Sequence, residues 1–415
     1  MILSESRGER TMQKTYKVAI IGGGFSGLIS AETLSCKLGG ENVLLLEKND
    51  RVGKKILATG NGRGNFTNLC LSQEKYHSIC GANISQILNK YGNKSIVDYF
   101  KGLGVDFSTE DGKVYPSSFQ ANSLLDALRL KLEYLKTDIR TSSKVEKIVK
   151  TKNGFKIVSS QEYFAEKIIF ACGGKAGKQY GTDGTSYALL EDLGHTVTKL
   201  YPSLVQVKTD TAKIKGLKGL KQEADLSVII DGKSIVSFRG DVLFTDFGVS
   251  GNAVFYASAH LQANKPCQLS ISFLPDKSRE EIENFIFEKF KNLPYVNLDD
   301  CLTGVLNKQI GKAIIKDCSL NGKTFLSAKK IAEKIKDFRL DVKGTLGFDN
   351  AQVTKGGIKF NQVDEKTLQS KTASGLYIVG EALDVDGDCG GYNLQWAYSS
   401  AKTACDGVID CYENR

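Results

Sequence analysis

Proline is scarce in this chain of 415 residues, with five in all, and tryptophan occurs once. Histidine occurs three times, at 77, 195 and 260, and no serine or aspartate is spaced to pair with any of them. Each histidine therefore reads as structural, and neither a histidine-rich metal centre nor a triad is visible. Ten cysteines (36, 70, 80, 172, 267, 301, 318, 389, 405, 411) include no Cys-x-x-Cys. This pattern excludes compact zinc and dithiol motifs and points to reduced thiols in a cytoplasmic protein. Cys70 and Cys80, the pair nearest the glycine loop described below, lack the spacing of redox partners. Arginine is also low, at 10 against 46 lysines within a net charge of +9. Phosphate and base recognition favour the arginine fork, so composition gives nucleic-acid binding no support. Long apolar runs are missing too. The stretch from Val18 to Ala31 is too short to span a bilayer and carries four glycines. The opening MILSESRGERTMQK lacks a secretory apolar run, and Met12 reads as an alternative start with residues 1–11 as a loose tail.

What is present is a globular balance, 41% apolar with 42 glycines, and a length that suggests about three structural units. Lys17–Ile21 reads as a buried strand, followed by Gly22-Gly23-Gly24-Phe25-Ser26-Gly27 and a helical pattern through Leu28, Ala31 and Leu34. A second apolar run, Val43–Leu46, closes on Glu47. Gly22 suits a tight turn, Gly24 a close approach by a pyrophosphate, and Gly27 close packing of helix on strand. The helix start offers N–H groups and partial positive charge to phosphates. Glu47, twenty residues after Gly27, is placed to accept bonds from a ribose diol. Strand, glycine turn, helix and acid together point to a dinucleotide, without separating FAD from NAD.

Lys48 leads into Val52-Gly53-Lys54-Lys55 and a loop, Thr59 to Asn68, containing Gly60, Gly62, Arg63 and Gly64. Its backbone N–H groups and Arg63 suit a phosphate or a flavin's polar edge. Ser143–Val149 and Phe155–Val158 read as a hairpin. Lys167–Ala171 reads as a buried strand ending in Cys172-Gly173-Gly174, with Gly181-Thr182-Asp183-Gly184 and a helix to about Leu193 beyond it. Near the end, Gly375–Val379 is a strand running into Gly380-Glu381, and Gly390-Gly391-Tyr392-Asn393 opens an amphipathic helix of Leu394, Ala397, Ala401 and Ala404. A Gly-acid pair at a strand end can bind ribityl hydroxyls, and the helix start can stabilise an anionic reduced ring. The two ends of the chain thus belong to one domain, as in two-dinucleotide-fold flavoproteins.

KVAIIGGGFSG, LLLEKNDRVGKKILATGNGRGNFTN, KIIFACGGKAGKQYGTDGTSYALLEDLGH, LFTDFGVSG and the block ending GLYIVGEALDVDGDCGGYNLQWAYSS resemble the BaiN/YhiN-like NAD(P)/FAD-dependent oxidoreductases. This family includes an aminoacetone oxidase and a bile-acid 4,6-reductase, and the resemblance runs from about residue 16 to 405. It implies an α/β fold: a Rossmann-like FAD domain of residues 13–195 and 355–415, an inserted β-rich, barrel-like substrate-side domain of 196–275 and 337–354, and a helical subdomain of 276–336. It implies FAD as cofactor, and by position it places Ser26, Glu47, Lys54, Arg63, Val145, Gly173, Glu381 and Leu394 against it. Two departures stand out: Gly64 where the family usually carries Cys, and Asn252 where relatives often carry Pro.

Within the insert, His195 to about Ser272 reads as strand-like, with turns at Asp231-Gly232 and Asn264-Lys265-Pro266. Ile282, Phe285, Ile286, Phe290 and Leu293, and then Ala328, Ile331, Ile335 and Phe338, repeat at helical spacing as core stripes. Phe338–Val353 returns to strand character. Lys213, Lys215, Lys218 and Lys221 form a basic run that reads as a solvated face. Tyr115, Tyr392, Trp396 and Tyr398 fit a flavin-side cavity or the core equally, and Tyr392 and Tyr398 are the candidates for a catalytic acid or base. No metal site is visible and no second G-x-G-x-x-G occurs in the insert, so a nicotinamide would dock only transiently.

The expected function is FAD-dependent hydride transfer between a small organic substrate (an amine, an enone or similar) and flavin, with NAD(P)H or oxygen as partner. The cofactor carries the chemistry, and the protein supplies binding, orientation and electrostatics. Two alternatives stay open: an RNA-modifying flavoenzyme, and a non-catalytic flavin-binding redox module. No membrane partner is expected.

Overall fold

Lys17–Ile21 is apolar on both faces, and such a run needs cover on both sides. In the computed structural model, which describes residues 14–261 and 265–413, it lies within a strand, Thr15–Ile21, at the middle of a seven-stranded sheet. The expected tail before Met12, and Asn264 of the expected turn, lie outside the described residues. Val43–Leu46 pairs parallel to one side of this strand and Glu162–Phe170 parallel to the other. Asp138–Arg140 adds parallel to Val43–Leu46.

Glu162–Phe170 is longer than its apolar core because it serves two partners. Its first half, Glu162–Ala165, pairs antiparallel with Gly154–Val158, which closes a hairpin with Lys147–Thr151. Its second half, Ile168–Phe170, pairs parallel with Leu376–Ile378. The last strand of the sheet thus comes from the C-terminal part of the sequence. The helix Phe25–Leu38 packs against the C-terminal helix Tyr392–Glu413, and one continuous core joins them to the strands. This is a Rossmann-like α/β fold.

The chain divides into two compact units: residues up to Leu200 with Lys355–Arg415, and Tyr201–Thr354. The second has its own core around a closed barrel of six antiparallel strands. Their order is Val207–Thr209, Gly248–Ser250, Lys233–Phe244, Lys221–Ile230, Cys267–Ser272 and Phe338–Thr345, which returns to the first. Three helices, Arg279–Asn292, Lys308–Cys318 and Phe325–Lys336, lie between the last two strands in sequence. The first opens on a capping box. The Ser278 hydroxyl accepts from the Glu281 N–H at 3.1 Å, and the Glu281 carboxylate accepts from the Ser278 N–H at 2.7 Å.

The insert differs from its sequence reading in three places. Asn252–Ser258 is a helix inside a stretch expected to be strand-like. Gly251, at φ +106°, ends the preceding strand, and the Asn252 side chain accepts from the Asp241 and Ala253 N–H groups. Ala253, Val254 and Ala257 then fall on one buried helical face. Lys308–Cys318 is a helix the periodicity reading passed over, with Ile310, Ile314, Ile315 and Cys318 buried. Phe285 is not a core residue. The buried face of its helix runs through Ile282, Ile286 and Phe290, and Phe285 is 53% exposed. The basic run behaves as a solvated face: Lys213, Lys218 and Lys221 pair with Asp317, Asp246 and Asp241.

Candidate functional site

Parallel pairing in register brings four strand ends together. Ile21 lies beside both Leu46 and Phe170, and Phe170 lies beside Ile378. The residues that follow, Gly22, Glu47, Ala171-Cys172 and Val379-Gly380, therefore line the carboxyl edge of the sheet, where open α/β sheets bind ligands.

The glycine motif has distinct physical roles at this edge. Gly22 adopts φ +106°, and a Cβ there would meet the Ala171 carbonyl oxygen at 2.5 Å. A Cβ at Gly27 would lie 1.9 Å from the Gly22 carbonyl oxygen, so helix and strand meet only because Gly27 has no side chain. Gly24 is different: nothing lies within 4 Å of its Cβ position, so its bare face is open. It caps the helix Phe25–Leu38 with no side-chain hydrogen bond, and no acidic residue sits in the first turn. The orphan N–H groups and positive pole of a 14-residue helix thus begin at an open glycine face, a combination that suits a diphosphate.

Glu47 is 8% exposed. One carboxylate oxygen accepts from the Gly23 N–H at 2.8 Å, and the other from the Asn49 backbone and side-chain nitrogens at 2.7 Å each. These bonds fix the acid against the glycine turn, and the oxygen that accepts from Gly23 retains a lone pair for a further donor. The Ser143 N–H bonds to the Glu47 carbonyl, so the hairpin strand begins only at Lys147 and Val145 sits in the core beside this edge.

Lys48 pairs with Asp183 at 2.9 Å, joining the second strand end to the segment beyond the third. Burial opposes the charged form of Asp183, but bonds from Thr185 and Lys48 outweigh it and hold the carboxyl down at about 2. The Cys172 thiol donates to the Ile21 carbonyl; desolvation, with Glu47 next, pushes it up to about 12. Gly173, at φ +71°, turns the chain away over Thr182, and Gly174 is buried. Gly380 lies against Ser26, whose Oγ would be 2.9 Å from a Cβ there.

Glu381 reaches back across the edge to Lys55 at 2.8 Å, and the same ammonium donates to the Ala176 carbonyl at 3.2 Å. Sequence reasoning chose Lys54, which pairs with Asp50 at 2.6 Å, and passed over Lys55. Only the fold brings residue 381 within reach of residue 55, so no local signal could have distinguished the two.

The C-terminal helix opens beside this edge. The Trp396 indole donates to the Gly380 carbonyl at 3.0 Å, and the Gly380 N–H donates to Ser400 at 2.9 Å. The Asn393 amide clamps Gly387, accepting from its N–H and donating to its carbonyl at 2.8 Å each, and Leu394 packs on the core. The loop 380–391 is thereby folded back on the helix start. It carries Asp384, Asp386 and Asp388. Asp384 accepts from Ser78 and from the Ile79 and Cys80 N–H groups, and Asp388 from His77 and Lys75. Among the described residues, neither oxygen of Asp386 has a hydrogen-bond partner.

Other expected residues have partners that account for them locally. Arg63 pairs with Glu110 at 2.6 Å and lies over the rings of Tyr115 and Phe119, 4.5 Å from each. Gly60 and Gly62 bend a 3₁₀ segment at positive φ, with Gly60 close against Asn65. Gly64, where the family's cysteine was expected, packs so that a Cβ would meet the Ala121 Cα at 2.7 Å, and its φ is +75°. Both favour glycine at this position. The Tyr392 hydroxyl donates to the Cys70 carbonyl at 3.1 Å, and desolvation pushes it up to about 12. Tyr398 is fully buried among Tyr91 and Tyr99, its hydroxyl 2.8 Å from Ser95, and burial likewise pushes it up to about 12.

Tyr398→Phe is accordingly expected to cost about 1 kcal/mol of stability through the lost Ser95 bond while leaving cofactor content unchanged. Urea unfolding and the flavin-to-protein ratio measure the two effects. Loss of cofactor with no loss of stability would return Tyr398 to the list of reacting groups. All ten cysteines are free thiols, and among the described residues no group of acids, histidines and cysteines could hold a metal, nor is any helix long and apolar enough to cross a membrane.

The HI0933-like protein Rossmann domain family matches residues 16–407. The 3-dehydro-bile acid delta(4,6)-reductase of Clostridium scindens is 34% identical over 399 residues, 94% of this chain and 98% of its own. The ribosomal RNA dihydrouridine synthase of Escherichia coli is 29% identical over 95% of this chain and 98% of its own. Among solved structures, a 3-ketosteroid-delta4-(5alpha)-dehydrogenase from Rhodococcus jostii RHA1 superposes with a TM-score of 0.53 at 15% identity, covering 98% of this chain and all of that one.

Proposed function

The chain belongs to the HI0933-like Rossmann flavoprotein family and is an FAD-dependent oxidoreductase, and from that premise we propose that it reduces a carbon–carbon double bond conjugated to a carbonyl group in a small organic substrate. The observation that carries this reading is the chemistry shared by its two named relatives. A delta(4,6)-reductase of a 3-dehydro-bile acid and a synthase of dihydrouridine both add two hydrogens across such a bond. Conjugation matters because the carbonyl accepts the charge that develops when hydride reaches the carbon β to it.

Bound FAD would supply the two-electron hydride chemistry that such a reduction needs, with NAD(P)H as the source of electrons. The chain's share is placement and charge. The open Gly24 face and the helix start beside it suit the diphosphate, and Glu47 suits the ribose. The Lys55–Glu381 pair, Ser26 and Gly380 suit the polar chain that joins the nucleotide to the ring system. The start of the 22-residue helix Tyr392–Glu413, behind Gly390-Gly391, would offer its positive pole to negative charge on the ring system.

The test is anaerobic. NADPH or NADH should bleach the flavin absorbance of the purified protein, and a 3-oxo-4,6-diene steroid acid should restore it as the dienone absorbance falls. If an amine bleaches the flavin and no conjugated ketone restores it, the reading fails in favour of amine oxidation. An RNA substrate is the second reading, favoured by the 29% relative. It predicts that a ribosomal RNA transcript restores the absorbance where the dienone does not.

A further inference from the structure

The least satisfied polar group described in the molecule lies in the loop that closes on the C-terminal helix. Asp386 is 1% exposed, and among the described residues neither carboxyl oxygen has a hydrogen-bond partner. Its three acidic neighbours are all provided for: Glu381 by Lys55, Asp384 by Ser78 and two backbone N–H groups, Asp388 by His77 and Lys75. A buried carboxyl left this way costs several kcal/mol if ionised, so it is either kept neutral or completed by something bound. The described residues offer no metal cluster to complete it.

Its place in the fold narrows the choice. Asp386 forms a two-residue strand with Gly387, paired to Tyr76-His77. On one side the loop is held by Gly380 and Glu381 at the end of the last sheet strand. On the other, Asn393 clamps Gly387 to the first turn of the C-terminal helix. Asp386 therefore belongs to the loop that joins the two elements set against the cofactor, the end of the last sheet strand and the start of the C-terminal helix. The charges that act on it are Lys355 and His77, which favour its ionised form, and Glu381 and Asp384, which oppose it. Desolvation by burial is the largest influence; it outweighs the two cations and, with the two acids, raises the carboxyl to about 7, so in the free protein it holds its proton over most of the acidic range.

We propose that Asp386 is a cofactor-binding residue that works in its neutral form: its carboxyl O–H donates a hydrogen bond to an acceptor atom of the bound FAD. The proton stays on the carboxyl, and no bond to carbon or nitrogen is made or broken. Protonation and binding are then linked. Holding FAD raises the affinity of Asp386 for its proton, and losing that proton weakens FAD binding by the same factor. The inference needs FAD alone and is independent of the substrate class proposed above.

The experiment is titration of the apoprotein with FAD, followed by flavin fluorescence, at a series of pH values from 6 to 9. For the wild type, Kd should be flat at the acidic end and rise above neutrality, approaching tenfold per pH unit. Asp386→Asn presents an N–H donor that does not titrate, so it should bind FAD with a Kd that is flat across the range. His77→Gln should keep the wild-type slope, which separates Asp386 from its titrating neighbour. A flat wild-type profile, or a slope that survives in Asp386→Asn, overturns the proposal. Should that variant not fold, calorimetry of FAD binding to the wild type at pH 8, in buffers of different ionisation enthalpy, decides the question. Uptake approaching one proton per FAD supports the proposal, and none or a release refutes it.

Discussion

Gly27→Ala is expected to yield a protein destabilised by about 3 kcal/mol that does not retain FAD. The added methyl would fall 1.9 Å from the Gly22 carbonyl oxygen, a backbone atom fixed by the turn whose own N–H is bonded to the Leu46 carbonyl. Neither side of that contact can swing away as a flexible side chain would, so the helix Phe25–Leu38 must lift from the strand. Lifting it loosens its packing against Tyr392–Glu413 as well.

Gly24→Ala separates folding from binding. Its backbone, at φ −77° and ψ −170°, suits any residue, and no atom lies within 4 Å of the new methyl. The apoprotein should therefore unfold at the wild-type urea concentration. Its Kd for FAD should nevertheless rise at least about tenfold, because the methyl occupies the face that a diphosphate approaches. Wild-type FAD affinity in Gly24→Ala would remove the helix start from the site.

The second large effect is at Glu47. Alanine there strips acceptors from the Gly23 N–H, the Asn49 N–H and the Asn49 amide, in a pocket where the acid itself is nearly inaccessible. Leaving such donors unpaired costs about 1–3 kcal/mol each where water cannot replace the acid. The turn that positions the glycines loosens, and a ribose would lose its acceptor at the same time. An FAD affinity loss of roughly a hundredfold, equivalent to about 3 kcal/mol, is expected for Glu47→Ala. Glu47→Gln should recover little of it, because its amide turns a donor toward donors. Retention of wild-type affinity in both variants would show that Glu47 serves the turn alone.

Much of the nucleotide-binding unit was legible because its signals are local. A run such as Val18–Ile21, buried throughout, followed within a few residues by Gly22, Gly24 and Gly27, leaves few alternatives to a strand, a turn and a helix. The acid after Val43–Leu46 was legible by distance along the chain. What was hidden depends on contacts between distant residues. The Lys55–Glu381 pair spans most of the sequence, and the choice between Lys54 and Lys55 has no local signature. That no described residue hydrogen-bonds to the Asp386 carboxyl is a property of its surroundings, and three aspartates at alternate positions look alike until His77, Lys75 and Ser78 are folded against two of them.

The barrel unit shows the other kind of failure. Asn252–Ser258 carries Val254, Phe255 and Tyr256, which suit a strand equally, and its helical form depends on Gly251 and on the Asn252 cap to Asp241, eleven residues upstream in the barrel. Phe285 was misplaced because an aromatic three positions from a core isoleucine fits a helical stripe equally well on its inner edge or just outside it.

The decisive measurement is an equilibrium titration of the apoprotein with FAD at neutral pH, with NAD(P)H absent, that yields both affinity and stoichiometry. One FAD should bind per chain, with the glycine-motif and Glu47 variants weakening that single event. A wild-type chain that is folded by circular dichroism and takes up no FAD from an excess would mean that the four strand ends do not form the site.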